Sequence, residues 1–425
     1  MNLQILISNR KLRCLSGDWK RMARSDTRKK IRNLIILAFI NGFVISFFVR
    51  TVSREEYFDP VIIFWIGALS LITFLTAIWY YRKKLRPIVV VNEKIKREIE
   101  RGRHKIVLIG GGTGLSTVLR GVRNYSSYDN TNISAIVTVA DDGGSSGKLR
   151  KEMDIIAPGD IRNCIVALSR EETLLSKLFN FRFKTEGELS GHSFGNLFLA
   201  ALAELNGGDF EKAIKTACDI LAVKGKIIPA TLENVNISAT LDDGTILSGE
   251  SEIGRKDKER KIKDIHLHPA EAKANKEALR AIREADAIVL GPGSLFTSIT
   301  PNLLFPGIAD ALKNSKAMKI FVCNIMTQPG ETDGFKVSDH IKVLEKHIPG
   351  VINYVIVNNA KMSYNLLEKY KEDGAYPVET DIPSLKKMKV LAVQEDLIKE
   401  GDYFRHNHDK LANLIIRLVE ESVNI

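Results

Sequence analysis

The chain has 425 residues, of which 62 are lysine or arginine and 51 are aspartate or glutamate, giving a net charge of +11. The excess of positive charge lies in the N-terminal part: residues 1–105 contain 22 basic and 8 acidic side chains, whereas the remainder contains 40 basic and 43 acidic ones. Because the larger part is nearly neutral, the charge does not indicate a nucleic-acid-binding surface. The four cysteines form no C-x-x-C pair, which argues against a disulfide scaffold or a zinc site.

The basic N-terminal part contains two uncharged apolar stretches. Asn33–Val49 has 17 residues and Pro60–Tyr81 has 22, and a membrane-spanning helix needs roughly 20. Basic residues precede the first stretch and follow the second, which by the positive-inside rule predicts a two-span protein of the cell membrane with both termini and the main domain in the cytoplasm. The predicted organisation is a basic N-terminus (1–32), a transmembrane helical hairpin (33–81), a charged linker (82–104) and one large domain (105–425).

After the linker, strand-like and helix-like segments alternate. Lys105–Ile109 and Ile133–Val139 are apolar runs typical of strands, and the apolar residues between them recur with helical spacing. Short β-branched segments within Ile227–Ile265 predict a small antiparallel β insertion. The predicted later strands are Ala287–Leu290, Lys319–Val322, Tyr354–Val357 and Val390–Val393. This pattern predicts an α/β fold with a Rossmann-like doubly wound sheet.

A glycine-rich loop follows the first predicted strand. Its sequence is Gly110-Gly111-Gly112-Thr113-Gly114, and it matches neither the P-loop nor the G-x-G-x-x-G pattern. A tight turn without a ligand needs fewer glycines, and the helix that follows offers its N-terminus to an anion. We interpret Gly111, Gly112, Thr113 and Gly114 as ligand-binding residues that contact phosphate.

A second loop, Asp141–Gly147, follows the second strand. Asp141 and Asp142 have three open roles: ligands of a divalent cation such as Mg²⁺, acceptors of a ribose hydroxyl bond, or caps of the loop. Gly143, Gly144, Ser145 and Ser146 offer donors to a phosphate.

Four further polar clusters are predicted to join the same rim. In the first, Asp160, Arg162 and Asn163 are candidate ligand-binding residues. Asp160 is also a natural helix N-cap, and Arg162 either binds phosphate or forms an ion pair. In the second, His192 and Asn196 are candidate ligand-binding residues, although a His between glycines is more often a hydrogen-bonded structural residue. The remaining candidate ligand-binding residues are Ser193, Gly291, Gly293, Ser294, Asn324, Thr327 and Gln328. The last three carry neutral donors and acceptors, which suit a uracil edge or a sugar better than proton transfer. No catalytic residue is identified.

The order of the six motifs resembles that of a bacterial family. These motifs are Gly110–Gly114, Val139–Gly147, Pro158–Asn163, Gly191–Asn196, Gly291–Thr297 and Val322–Thr332. They look like those of the gluconeogenesis factors, which are related in fold to 2-phospho-L-lactate transferase. The resemblance implies a Rossmann-like domain, over about residues 105–400, that binds UDP-sugars, notably UDP-N-acetylglucosamine. It also implies a role in cell shape (morphogenesis) and in growth on gluconeogenic carbon sources.

Two functional hypotheses follow. The preferred one is a membrane-tethered, UDP-sugar-binding regulator, whose expected partners are the ligand, the membrane, cell-envelope synthesis proteins and further copies of the chain. The alternative is a Mg²⁺-dependent transferase of the 2-phospho-L-lactate transferase type, in which Asp141 or Asp142 holds the metal, as the resemblance to that enzyme implies.

Overall fold

The computed structural model describes residues 104–423, with gaps at 124, 126–131, 170–171, 185, 256–258, 400 and 402, together with Ala68. The chain divides into two compact units, Met1–Gly102 and Arg103–Ile425. The helices and strands discussed below belong to the second unit.

The strands form one large sheet and two small ones. In chain order they are β1 (Ile106–Gly110), β2 (Ile133–Val137), β3 (Lys226–Pro229), β4 (Asn236–Leu241), β5 (Ile246–Ser248), β6 (Ile262–His268), β7 (Ala287–Leu290), β8 (Met318–Val322), β9 (Tyr354–Asn358), β10 (Leu391–Glu395), β11 (Ile398–Lys399) and β12 (Arg405–His406). The large sheet has the order β10-β9-β8-β7-β1-β2-β3, and every neighbouring pair is parallel. Strands β1, β2, β7 and β8 are buried along their whole length, as expected of parallel strands covered on both faces.

Helices connect the parallel strands. They are α1 (Gly112–Arg123), α2 (Gly144–Met153), α3 (Pro158–Leu168), α4 (Glu172–Phe179), α5 (Phe194–Leu205), α6 (Phe210–Ile220), α7 (Glu250–Ile253), α8 (Lys276–Glu284), α9 (Thr300–Leu304), α10 (Ile308–Asn314), α11 (Val337–Glu345), α12 (Tyr364–Glu372), α13 (Ile382–Lys387) and α14 (His408–Val423). A π-helical turn, Leu295–Ile299, precedes α9. The predicted Rossmann-like parallel sheet is confirmed.

The small antiparallel sheet is also confirmed, but its predicted start is wrong. Strands β4, β5 and β6 pair in the order β5-β4-β6. Residues 227–229 of β3 were expected in this insertion, but β3 pairs in parallel with β2 instead. Its last three residues are all buried rather than alternating, which is the pattern of a strand in a covered sheet.

The order of the large sheet reverses at its centre. From β1 the chain proceeds through β2 to β3 on one side, and then returns to place β7 against the opposite edge of β1. In open α/β sheets, such a reversal separates the loops that follow the two central strands and leaves a crevice at their carboxyl ends. Here the two loops are the ones after β1 and β7.

The predicted location in a membrane is wrong. None of the helices in the described part of the chain is both long and apolar enough to cross a bilayer. The longest of them, α14, has 16 residues and carries charges. At 1.5 Å per residue it extends for about 24 Å, less than the roughly 30 Å of a hydrocarbon core. The hairpin predicted over residues 33–81 lies, apart from Ala68, outside the described residues.

Candidate ligand-binding site

A cavity of about 540 Å³ opens at the point where the sheet order reverses. Its walls include Gly111–Gly114 after β1 and Pro292–Ser294 after β7. Nine of the residues predicted from sequence line it: Gly111, Gly112, Thr113, Gly114, Gly293, Ser294, Asn324, Thr327 and Gln328. The sequence therefore located one continuous cavity from loops that are far apart along the chain.

The two glycine loops touch each other through their backbones. A methyl group on Gly114 would lie 2.2 Å from the carbonyl oxygen of Pro292, and one on Gly111 would lie 2.5 Å from Oδ2 of Asp160. Gly112 has a φ of +60°, a conformation that favours glycine. The loop therefore needs glycine for two reasons: neighbouring atoms leave no room for a Cβ atom, and Gly112 has a positive φ.

Two helical segments begin at or directly after residues that line this cavity. Helix α1 begins at Gly112, and the π-helical turn begins directly after Ser294. The Oγ of Ser294 accepts a hydrogen bond from the backbone N–H of Thr297 at 3.0 Å, and its hydroxyl donates to Glu331. Backbone N–H groups at a helix N-terminus, together with the helix dipole, favour an anion.

Asn324, after β8, holds the β7 loop in place. Its Oδ1 accepts from the backbone N–H of Gly293 at 3.1 Å, and its Nδ2 donates to the Gly293 carbonyl at 2.8 Å and to Gln328 Oε1 at 3.1 Å. Thr327 is bonded to the backbone of Tyr376 in both directions. These side chains line the cavity, but much of their hydrogen-bonding capacity already serves to fix its shape.

The opposite wall of the cavity comes from residues that the sequence analysis did not select. Tyr370 of α12 stacks on Phe404 with ring centroids 5.4 Å apart, and its hydroxyl accepts from the Phe404 backbone N–H at 3.1 Å. Arg405 is exposed, with its guanidinium 6.0 Å from the centroid of the Tyr403 ring. His406 is buried, and burial lowers its pKa to about 4. No glycine pattern marks this segment, and only its clustering of aromatic and basic residues offered a signal.

Seven predicted ligand residues lie outside the cavity wall and are bonded to one another. They are Ser145, Ser146, Arg162, Asn163, His192, Ser193 and Asn196. Arg162 donates to Ser193 Oγ at 2.6 Å and to Asn163 Oδ1 at 2.9 Å, and Asn196 Nδ2 donates to Ser145 Oγ at 3.1 Å. This buried network joins α2, α3 and the start of α5. The structural interpretation of His192 agrees with its contact to Ser145, at 3.2 Å.

The two aspartates predicted to hold a metal ion have different partners. Asp141 Oδ1 accepts from the Gly143 N–H at 2.9 Å, whereas Asp142 Oδ1 accepts from the Ser251 N–H in the insertion at 2.9 Å. In the described part of the chain, no group of three or more His, Cys, Asp or Glu side chains is placed to hold a metal. Asp141 therefore caps its own loop and Asp142 connects this loop to the insertion, and a role of either carboxylate in holding Mg²⁺ stays a prediction.

Other predicted residues differ from expectation in smaller ways. Asp160 lies in the first turn of α3, after the N-cap residue Ala157, and is therefore not the cap. Burial, reinforced by the charge of Asp141, raises the pKa of Asp160 to about 6. Gly143 and Gly144 start helix α2 and Gly291 supports the β7 loop, but none of the three lines the cavity.

Comparison with known proteins shows the family of the chain. The chain is 43% identical over 319 residues to the gluconeogenesis factor of Bacillus subtilis, covering 75% of this chain and 98% of that protein. It is 45% identical over 316 residues to the gluconeogenesis factor of Halalkalibacterium halodurans, covering 74% and 96%. The chain belongs to the gluconeogenesis factor family. As a gluconeogenesis factor homologue, it also matches the family model for 2-phospho-L-lactate transferase CofD over residues 106–398.

A solved structure places this gluconeogenesis factor homologue in the same fold. The crystal structure of a member of the UPF0052 family from Bacillus halodurans superposes with a TM-score of 0.69 at 45% identity, covering 74% of this chain and 99% of that one. The family match extends from the first residue of β1 to β11. It thus contains both glycine loops and Tyr370, and it ends before Arg405.

Proposed function

We propose that the cavity binds a UDP-sugar, of which UDP-N-acetylglucosamine is the leading candidate. The observation that carries this proposal is the meeting of two helical N-termini and two glycine loops at the reversal point of the sheet. A diphosphate carries negative charge and acceptor oxygens, which suit backbone N–H groups at two adjacent helical starts. The cavity volume of about 540 Å³ is within the range of small-molecule sites.

The far wall supports recognition of the remainder of such a ligand. Arg405 supplies a positive charge beside the aromatic rings of Tyr370 and Phe404. A guanidinium pairs well with phosphate, and an aromatic face packs against a nucleobase. We assign the diphosphate to the glycine loops and the uridine to the Tyr370–Arg405 wall.

On this proposal the protein acts as a regulator. Occupancy of the cavity by a sugar nucleotide reports the supply of cell-envelope precursors and, through partner proteins of envelope synthesis, influences cell shape and growth on gluconeogenic carbon sources. The family membership supports the link to gluconeogenic growth.

Calorimetric titration of the full chain with UDP-N-acetylglucosamine tests the proposal. We expect saturable binding, weakened roughly 10- to 100-fold in Arg405→Ala because a charge-assisted contact is lost. Arg417→Ala is the matched control, since Arg417 of α14 is paired with Glu395 at the end of β10 and does not line the cavity. The proposal is refuted if the wild-type chain shows no heat of binding and no thermal shift with this ligand.

The CofD match favours a second candidate, a transferase of the 2-phospho-L-lactate transferase type. Its test is product formation from labelled nucleotide substrates with added Mg²⁺. Intact substrates across the candidate acceptors would leave the regulator as the better explanation.

A further inference from the structure

One carboxyl group of the antiparallel insertion contacts the π-helical turn that follows the cavity residue Ser294. Glu250 is the first residue of α7, and its Oε1 lies 3.2 Å from the hydroxyl of Thr297 in the π-helical turn. Glu250 belongs to none of the sequence motifs. Its contact connects the insertion to the loop that carries Ser294.

The Thr297 hydroxyl has one proton and two acceptors within reach. Its Oγ1 lies 2.8 Å from Ser294 Oγ and 3.2 Å from Glu250 Oε1. The Ser294 hydroxyl donates its own proton to Glu331, and each hydroxyl has only one proton to donate. An ionised Glu250 therefore competes with Ser294 for the Thr297 proton, whereas a protonated Glu250 donates to Thr297 and leaves that proton for Ser294.

The surroundings of Glu250 favour its protonated form. Asp141 and Asp142 of the β2–α2 loop and Asp160 of α3 all face it, and β4 and β5, which pack against α7, contain no titratable side chain. Burial, followed by the charges of Asp160 and Asp141, raises the pKa of Glu250 to about 8. Its Oε2 is buried and has no hydrogen-bond partner among the described residues, which would be costly for a carboxylate.

We propose that Glu250 is a positioning residue that acts in its protonated form, donating through Thr297 to hold Ser294 in the wall of the ligand cavity. This inference rests on the proposed UDP-sugar binding and adds its regulation by pH. Loss of the proton turns the Thr297 hydroxyl towards Glu250, frees Ser294 from that bond, and places a negative charge behind the loop assigned to the diphosphate. Ligand affinity then decreases as the pH rises above about 8.

Titrations of the full chain with UDP-N-acetylglucosamine near pH 6.5 and pH 9 test the proposal. We expect the wild type and Glu252→Gln, a control on the exposed side of α7, to bind up to about tenfold more weakly at the higher pH. Glu250→Gln keeps an amide donor at every pH, so its affinity should stay constant between pH 6.5 and pH 9. Ionisation of the ligand affects all three chains equally and cancels in the comparison.

A measurement without ligand separates this inference from the proposed function. The folded-state pKa of Glu250 lies above the ordinary value of 4.5, so its stabilising contribution is complete below that value and is lost as pH rises through about 8. The Tm of the wild type should therefore fall relative to that of Glu250→Gln between pH 6.5 and pH 9. A constant Tm difference, or equal pH dependence of binding in both chains, would overturn the inference. Failure of the wild type to bind at either pH refutes only the proposed function.

Discussion

Substituting Gly114 by alanine should separate the two loops that form the cavity. The added methyl group would lie 2.2 Å from the carbonyl oxygen of Pro292, 2.7 Å from its carbonyl carbon and 3.0 Å from the Cα of Gly293. All three atoms are backbone, so no side-chain rotation relieves the clash. Overpacking of this kind costs about 1–3 kcal/mol of the free energy of unfolding. It also displaces the N–H groups on both sides of the proposed diphosphate.

Gly110→Ala is the matched control, because it adds the same methyl group four residues earlier. There the nearest atom is 3.7 Å away, which is an ordinary van der Waals distance. Urea unfolding should show a loss of about 1–3 kcal/mol for Gly114→Ala and less than about 1 kcal/mol for Gly110→Ala. UDP-N-acetylglucosamine titration should show loss of affinity for the first variant alone. Wild-type stability and affinity in Gly114→Ala would contradict the close contact between the loops.

Two further predictions concern stability away from the glycine loops. Gly121→Ala places a methyl group 2.0 Å from the His408 carbonyl oxygen, so α1 and α14 must move apart. Urea unfolding should show a loss of about 1–3 kcal/mol, whereas Gly187→Ala, which meets nothing within 4 Å, should change little. The pKa of His406 is lowered by burial from 6.5 to about 4, so the unfolded chain binds a proton in this interval and the folded chain does not. Urea unfolding at both pH values should therefore show the wild type losing about 2 kcal/mol relative to His406→Gln between pH 7 and pH 5, and a constant difference between the two chains would show that His406 does not act in this way.

The sequence predicted the glycine loops well because their chemistry is local. A strand, a run of glycines and a helix are read directly from neighbouring residues, and Gly111–Gly114 and Gly293 do line one cavity. The sequence did not predict where the strand order of the large sheet reverses, because that position depends on which strands pair. Residues 227–229 of β3 were misassigned for the same reason: their β-branched residues resemble those of the insertion, and only pairing with β2 distinguishes them.

The predicted site was incomplete where polar residues have two equally suitable uses. Ser145 and Arg162 have the side chains of a phosphate site, yet each finds partners inside the protein. Conversely, Tyr370 and Arg405 belong to no recognisable motif and reach the cavity only because α12 and β12 fold against it. Glu250 was missed because its environment, which raises its pKa, is assembled from three separate segments.

The reversal of the sheet at β1 also affects the order in which the protein can become functional during synthesis. Strands β1, β2 and β3 leave the ribosome well before β7, so the first glycine loop is made while its opposing wall does not yet exist. The cavity is complete only when the C-terminal half pairs with β1 and α12 and β12 close its far side. A bound nucleotide sugar would then join the earliest and latest parts of the chain, and would protect both half-sheets against opening together.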